Sequence, residues 1–193
     1  MGKKTGLYFG TFNPIHVGHC IIAQHMLEYT DLEEIWFVVT PHNPHKKKST
    51  LLNDNKRYYM VQLALEDQYQ MYASRIEFEL PQPSYTATTL AHASEKYADH
   101  EFALIMGADN LQTFHKWKNY EWILENYEIY VYPRLNTDGG KLREHPRVHV
   151  TEAPIMEIAS TSIRQALREG KNVSFMLPEK VWRYIDEELF YRQ

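Results

Sequence analysis

The strongest chemical signal in the chain is a pair of histidines three residues apart, His16 and His19, inside the stretch Tyr8 to His19, YFGTFNPIHVGH. On a helical turn, side chains at i and i+3 share a face, so both imidazoles project toward one pocket. Two ring N–H groups can then donate to the oxygens of one phosphate and, when protonated, offset charge as a P–O bond breaks. Taken alone, such a pair also reads as incidental or as half of a metal site. Its surroundings favour the anion. An apolar run, Gly6-Leu7-Tyr8-Phe9, stops at Gly10, Asn13-Pro14 marks a turn, and Gly18 opens an apolar-periodic segment ending near Tyr29. That is strand, turn and helix, with free N–H groups and the positive end of the helix dipole aimed at the turn. Gly10 is expected to take a positive φ or to let a ligand approach the backbone. Neither GxxxxGK[ST] nor GxGxxG occurs, which argues against a P-loop or an ordinary dinucleotide site.

A second donor-rich segment, Ser160-Thr161-Ser162-Ile163-Arg164, opens a helix expected to run to about Glu169 and to stop at Gly170. Ser160 and Thr161 bring hydroxyls, and Arg164 follows about one turn on, within reach of the same oxygens. Ser84-Tyr85-Thr86 reads as another helix entrance with a capping hydroxyl, ahead of the periodic segment Ala87–Tyr97. Asp109 follows the run Phe102–Met106 and either accepts from a ribose hydroxyl or caps a helix over Leu111–His115. Phe114, Trp117, Tyr120 and Trp122 crowd one segment; aromatics so spaced commonly form core, yet an indole face also suits a flat cationic ring. Arg134 ends the run Glu128–Tyr132 and reads as a phosphate contact, while in Lys46-Lys47-Lys48 the last two read as solvated. Arg57, early in a helix expected over Asn53–Glu66, opposes the dipole and needs an anionic partner or solvent. The single cysteine, Cys20, forms no internal disulfide and reads as packing.

The elements that must position these residues follow from patterning. At 193 residues, with 44% hydrophobic and 24% charged residues, the chain suits one globular domain over residues 1–193. A net charge of -4 argues against extensive nucleic-acid binding. Apolar runs such as Ile35–Val39 are too short to cross a bilayer and no apolar signal region follows Met1, so no membrane partner and a cytoplasmic location are expected. Strands are expected at Gly6–Phe9, Glu34–Thr40, Arg75–Leu80, Phe102–Met106, Glu128–Tyr132 and Arg147–Val150. Leu135–Glu144, polar and containing Gly139-Gly140, reads as a mobile excursion, and Pro178–Leu189 as an amphipathic closing helix without chemistry. Strands alternating with helices predict an α/β fold, a single Rossmann-like doubly wound domain with a mainly parallel sheet and its site above the strand C-termini. A homo-oligomer is compatible with this reading.

GTFNPIHVGH resembles the signature of the nucleotidyltransferase superfamily, whose HxGH motif binds nucleoside triphosphate phosphates. PSYTATTL (83–90), GADNLQTFHKW (107–117) and STSIR (160–164) resemble one branch, the bacterial nicotinate-nucleotide adenylyltransferases, and the likeness spans nearly the whole chain. It implies adenylyl transfer from ATP to nicotinate mononucleotide, giving deamido-NAD and pyrophosphate, with Mg2+ carried on the substrate and no metal held by the protein. It also implies catalytic roles for His16, His19 and Arg164, and ATP contacts from Gly10, Thr11, Phe12, Gly18, Lys46, Ser160 and Thr161. By the same resemblance Thr86 recognises the pyridine carboxylate and Trp117 stacks on the ring; Asp109 and Arg134, read from their places at the strand ends, are expected to complete the mononucleotide site. Two departures stand out: Ala159 occupies the position of the family's serine, with Ser160 one residue on, and the Pro41–Lys46 loop is shorter than the pattern. The rival readings are a transferase of the same superfamily with another acceptor, a nucleotide sensor without turnover, and a histidine metalloprotein. PSYTA and the Trp117 segment speak against phosphopantetheine or glycerol phosphate as acceptor.

Overall fold

Runs such as EIWFVV and FALIM are apolar throughout, which suits strands covered on both faces. In the computed structural model, which describes residues 2–41 and 51–192, they lie in a six-stranded sheet. Its strands are β1 (Lys3–Gly10), β2 (Glu34–Val39), β3 (Met71–Ser74), β4 (His100–Gly107), β5 (Ile129–Tyr132) and β6 (Val148–Val150). Their order is β3-β2-β1-β4-β5-β6, and every neighbouring pair is parallel. The helices are α1 (Val17–Tyr29), α2 (Asp54–Leu65), α3 (Thr86–Lys96), α4 (Ala108–Thr113), α5 (Tyr120–Asn126), α6 (Ser160–Arg168) and α7 (Glu179–Glu187). One face of the sheet buries residues from α1, α2, α6 and α7, including Ile22, Met60, Ile163 and Val181; the other buries Leu90, Leu111 and Ile123 from α3, α4 and α5. The order reverses between β1 and β4, so the chain leaves these two strands toward opposite faces and a crevice opens at their C-terminal ends.

The expected strand over Arg75–Leu80 is not formed. β3 lies earlier, at Met71–Ser74, and Ile76–Glu79 is a 3-10 turn. The alternating pattern misleads because Glu77, assigned by period to the solvent side, is 2% exposed and accepts from Thr89 Oγ1 at 2.8 Å. Burial pushes its carboxyl pKa up, against the hydroxyls of Thr89, Ser84 and Thr40 that face it. Leu135–Glu144 is no free excursion, since Thr137 Oγ1 donates to Gln112 Oε1 at 2.8 Å and Gly139 sits against Leu111. The capping hydroxyl expected at Ser84 to Thr86 is also absent: Tyr85 is the N-cap of α3 and its side chain caps nothing. Residues 42–50 are outside the described residues, and the readings placed on Lys46, Lys47 and Lys48 fall there.

Candidate active site

The turn after β1 is shaped by Phe12, which takes a positive φ of 44° and is 1% exposed. The left-handed conformation therefore falls on Phe12 and not on Gly10. Gly10 is needed for space: a Cβ there would lie 2.7 Å from Phe12 Cζ, because the ring folds back over it. That ring is walled by Phe37 and His19, with centroids 5.6 and 5.1 Å away. Gly18 has a parallel use, since a Cβ there would come within 3.1 Å of His16 Nδ1. The imidazole of His16 can thus lie against the first turn of α1.

His16 is the extended N-cap of α1 and His19 its third residue. The rings stack with centroids 3.7 Å apart and planes 25° from parallel, the shared face expected from their spacing. Each turns Nδ1 back onto the chain. His19 Nδ1 accepts from His16 N at 3.2 Å, while His16 Nδ1 faces the amide of His19 without bonding, that amide donating to His16 O at 3.0 Å instead. An accepting Nδ1 puts the proton of neutral His19 on Nε2, which makes Nε2 its donor. Burial, assisted by the charge of Arg134, lowers the His16 pKa to about 4. Burial, then His16, then Arg134 hold His19 well below the ordinary range. Both rings are neutral near pH 7 until an anion arrives to favour their charged forms.

The cations gather around the same turn. Arg164 of α6 donates through Nη1 to Asn13 O at 2.7 Å, and Ser160 Oγ donates to Pro14 O at 2.9 Å. The Ser160 hydroxyl proton is therefore committed to the turn. Thr161, next in α6, is exposed. Arg134 lies 5.2 Å over the Tyr132 ring, and its Nε is 3.6 Å from Asp109 Oδ1. Asp109 sits in the first turn of α4, whose N-cap is Gly107, so its carboxylate is not spent on capping. Among the described residues, four buried side-chain polar atoms lack a partner, and three are nitrogens of His16, Arg134 and Arg164. Of these, Nε of Arg164 is a buried donor without an acceptor, Nε of Arg134 has only the long contact with Asp109, and Nδ1 of His16 is turned onto the first turn of α1.

The residues that the resemblance assigns to the pyridine ring lie with the other face. Thr86 opens α3, and Trp117, half-buried, meets Phe114 edge-on at 5.2 Å. Lys118 Nζ lies 4.4 Å over the Tyr85 ring, so the segment bearing Trp117 abuts the one bearing Thr86. Three residues of the site escaped the sequence reading. Asn13 was read as a turn marker only, yet its Oδ1 accepts from Leu52 N at 3.2 Å and from Tyr191 Oη at 2.7 Å. Tyr191, beyond the closing helix, carried no signal at all. Arg57 was read only for its conflict with the dipole. It is fully buried and meets that conflict with Asp54 Oδ1 at 2.6 Å and with backbone carbonyls.

The depressed His16 pKa has a consequence for stability. Between about pH 6.5 and 4 the unfolded chain binds a proton at His16 that the folded chain refuses, so stability falls as pH drops through this window. By about pH 5 the loss is on the order of 2 kcal/mol. His16→Asn, which keeps an N-cap side chain, is expected to unfold in urea with a smaller drop between pH 7.5 and 5 than the unsubstituted protein. Equal drops would refute this.

A cytidylyltransferase-like family model matches residues 7–166. The "probable nicotinate-nucleotide adenylyltransferase" of Flavobacterium johnsoniae is 62% identical over 98% of this chain and 100% of its own length. The protein of that name from Bacteroides fragilis is 43% identical over 96% of this chain and 92% of its own. A solved structure of Plasmodium falciparum nicotinic acid mononucleotide adenylyltransferase, complexed with NaAD, superposes with a TM-score of 0.80, covering 98% of this chain and 97% of that one. At 17% identity that likeness speaks for the fold. With curated relatives so similar from end to end, and the HxGH turn assembled beside the guanidinium of Arg164, the chain belongs to the nicotinate-nucleotide adenylyltransferases, which transfer the adenylyl group of ATP to nicotinate mononucleotide.

Proposed function

We propose that this transfer, yielding deamido-NAD and pyrophosphate, takes place on the stacked pair His16 and His19. The stacked histidine pair at the start of α1, with the guanidinium of Arg164 bonded to the same turn, carries the assignment. A phosphate oxygen of the mononucleotide attacks the α-phosphorus of ATP, the new P–O bond forms, and the bond to pyrophosphate breaks with its electron pair leaving on the bridging oxygen. The nucleophile is already anionic near pH 7, so no general base is needed, and positioning with charge stabilisation carries catalysis. Nε2–H of His19 and the facing ring of His16 donate to the reacting phosphates. Arg164, Thr161 and the backbone of Gly10, Thr11, Phe12 and Gly18 hold the rest of ATP, and Lys46 is read as assisting. Ser160 acts through Pro14. Asp109 takes a ribose hydroxyl and Arg134 the mononucleotide phosphate. The donor set is cationic, and among the described residues no three His, Cys, Asp or Glu side chains gather as metal ligands. We read Mg2+ as arriving with ATP, where it would supply charge neutralisation. We read the chain as one domain acting in the cytoplasm; no described helix is long and apolar enough to cross a membrane. Pyrophosphate release that requires both ATP and nicotinate mononucleotide tests the reading, and a sensor would bind without release.

The acid mononucleotide is expected to be preferred over the amide. Free N–H groups open α3 at Thr86, and a carboxylate accepts from each of them. The amide's NH2 only donates, so turning it toward those groups leaves donors facing each other at a cost of about 1–3 kcal/mol, or roughly ten- to a hundredfold. Trp117 stacks on both rings alike. Thr86→Val should therefore erode the preference in kcat/KM, while Trp117→Ala weakens both substrates together. Equal kcat/KM for acid and amide in the unsubstituted enzyme would sink this assignment.

A further inference from the structure

We infer that Arg57 is a positioning residue for adenylyl transfer, holding the phosphate-binding turn in register with the end of β2. Its guanidinium touches no open space and spreads its donors over three separate stretches of chain. Nη1 donates to Thr11 O in the turn, Nη2 to Thr40 O just past β2 at 2.9 Å, and Nε to Leu52 O just before α2 at 3.0 Å. Asp54 Oδ1 takes a further bond from Nη2 at 2.6 Å and balances the charge. Leu52 passes the constraint on, since its N–H donates to Asn13 Oδ1, while Asn13 O receives Arg164 Nη1. One side chain thereby ties together the turn carrying Gly10, Thr11 and Phe12, the C-terminal end of β2, and the residue that anchors Arg164.

Stability alone explains this poorly. A buried guanidinium carries a large desolvation cost, and a well-packed apolar side chain commonly stabilises as much or more. What the fork supplies is geometry. A planar group with fixed donor directions sets three carbonyls at once, which the single ammonium of lysine on its flexible stem does not reproduce.

The inference rests on adenylyl transfer at His16 and His19. Arg57→Lys in the full chain is expected to stay folded and to lose kcat about a hundredfold, the scale of misplacing reacting groups by about an ångström. Its KM for nicotinate mononucleotide should stay within about threefold, because that substrate's pyridine end binds on the other face. Millimolar methylguanidinium should restore part of the lost kcat to Arg57→Ala and none to His19→Ala. A lysine variant whose folded molecules turn over at the unsubstituted rate overturns the inference, as does a loss that only tracks the unfolded fraction in a thermal melt. If Arg57→Ala does not fold, the lysine variant decides by the same readouts. An unsubstituted protein that releases no pyrophosphate overturns the functional reading instead, so the two failures are distinguishable.

Discussion

His19→Ala is expected to lower kcat by about 10²- to 10³-fold, the cost of removing one preorganised donor to developing charge. The expectation follows from the local wiring. The backbone N–H of His16 occupies Nδ1 of His19, so the ring is held in one tautomer with Nε2–H as its donor. Stacking on His16 at 3.7 Å and edge contacts with Phe12 at 5.1 Å and Tyr8 at 6.1 Å fix its direction. Substitution leaves His16 N without its acceptor and a gap beside Phe12, so the melting temperature should fall modestly while circular dichroism stays unchanged. His19→Asn, which can retain an acceptor for His16 N, should recover stability and little activity. Near-normal turnover in folded His19→Ala would remove the histidine pair from the chemistry.

Gly10→Ala is expected to destabilise the protein by about 1–3 kcal/mol, the usual scale of overpacking. The new Cβ would meet Phe12 Cζ, Cε1 and Cε2 at 2.7, 2.8 and 3.0 Å. The ring has nowhere to go. Tyr8, Phe37 and His19 surround it, and its backbone already sits at a positive φ that a side-chain-bearing residue adopts reluctantly. Relief therefore comes from the turn itself or from His19, and kcat should fall by up to about 10²-fold even in the folded fraction. Combining Gly10→Ala with Phe12→Leu should recover part of the stability, a coupling that a denaturation cycle over the four proteins measures. Unchanged stability and turnover in Gly10→Ala would show that the ring is not held as described.

Local pattern determined a good deal of this protein. The run ending at Gly10 specified β1, the pair His16 and His19 specified one face of α1, and Ser160 to Gly170 specified α6, because periodicity, capping and glycine stops act over a few residues. The parallel doubly wound sheet followed from strands alternating with helices. Pattern failed where a polar side chain was buried: Glu77 points inward onto Thr89, so an alternating stretch became a 3-10 turn and β3 formed from the short Met71–Ser74 beside it. It offered Gly10 for a positive φ or for close approach without a Cβ; Phe12 takes the positive φ, and Gly10 makes room for its ring in a pocket supplied by Tyr8 and Phe37. Arg57 meets Thr11 across 46 residues, Arg164 meets Asn13 across 151 and Tyr191 meets Asn13 across 178. Such bonds leave no trace in local spacing. A buried donor takes whichever acceptor the packed chain brings to it, so only the tertiary structure decided which residues hold the turn and which remain free to meet a phosphate.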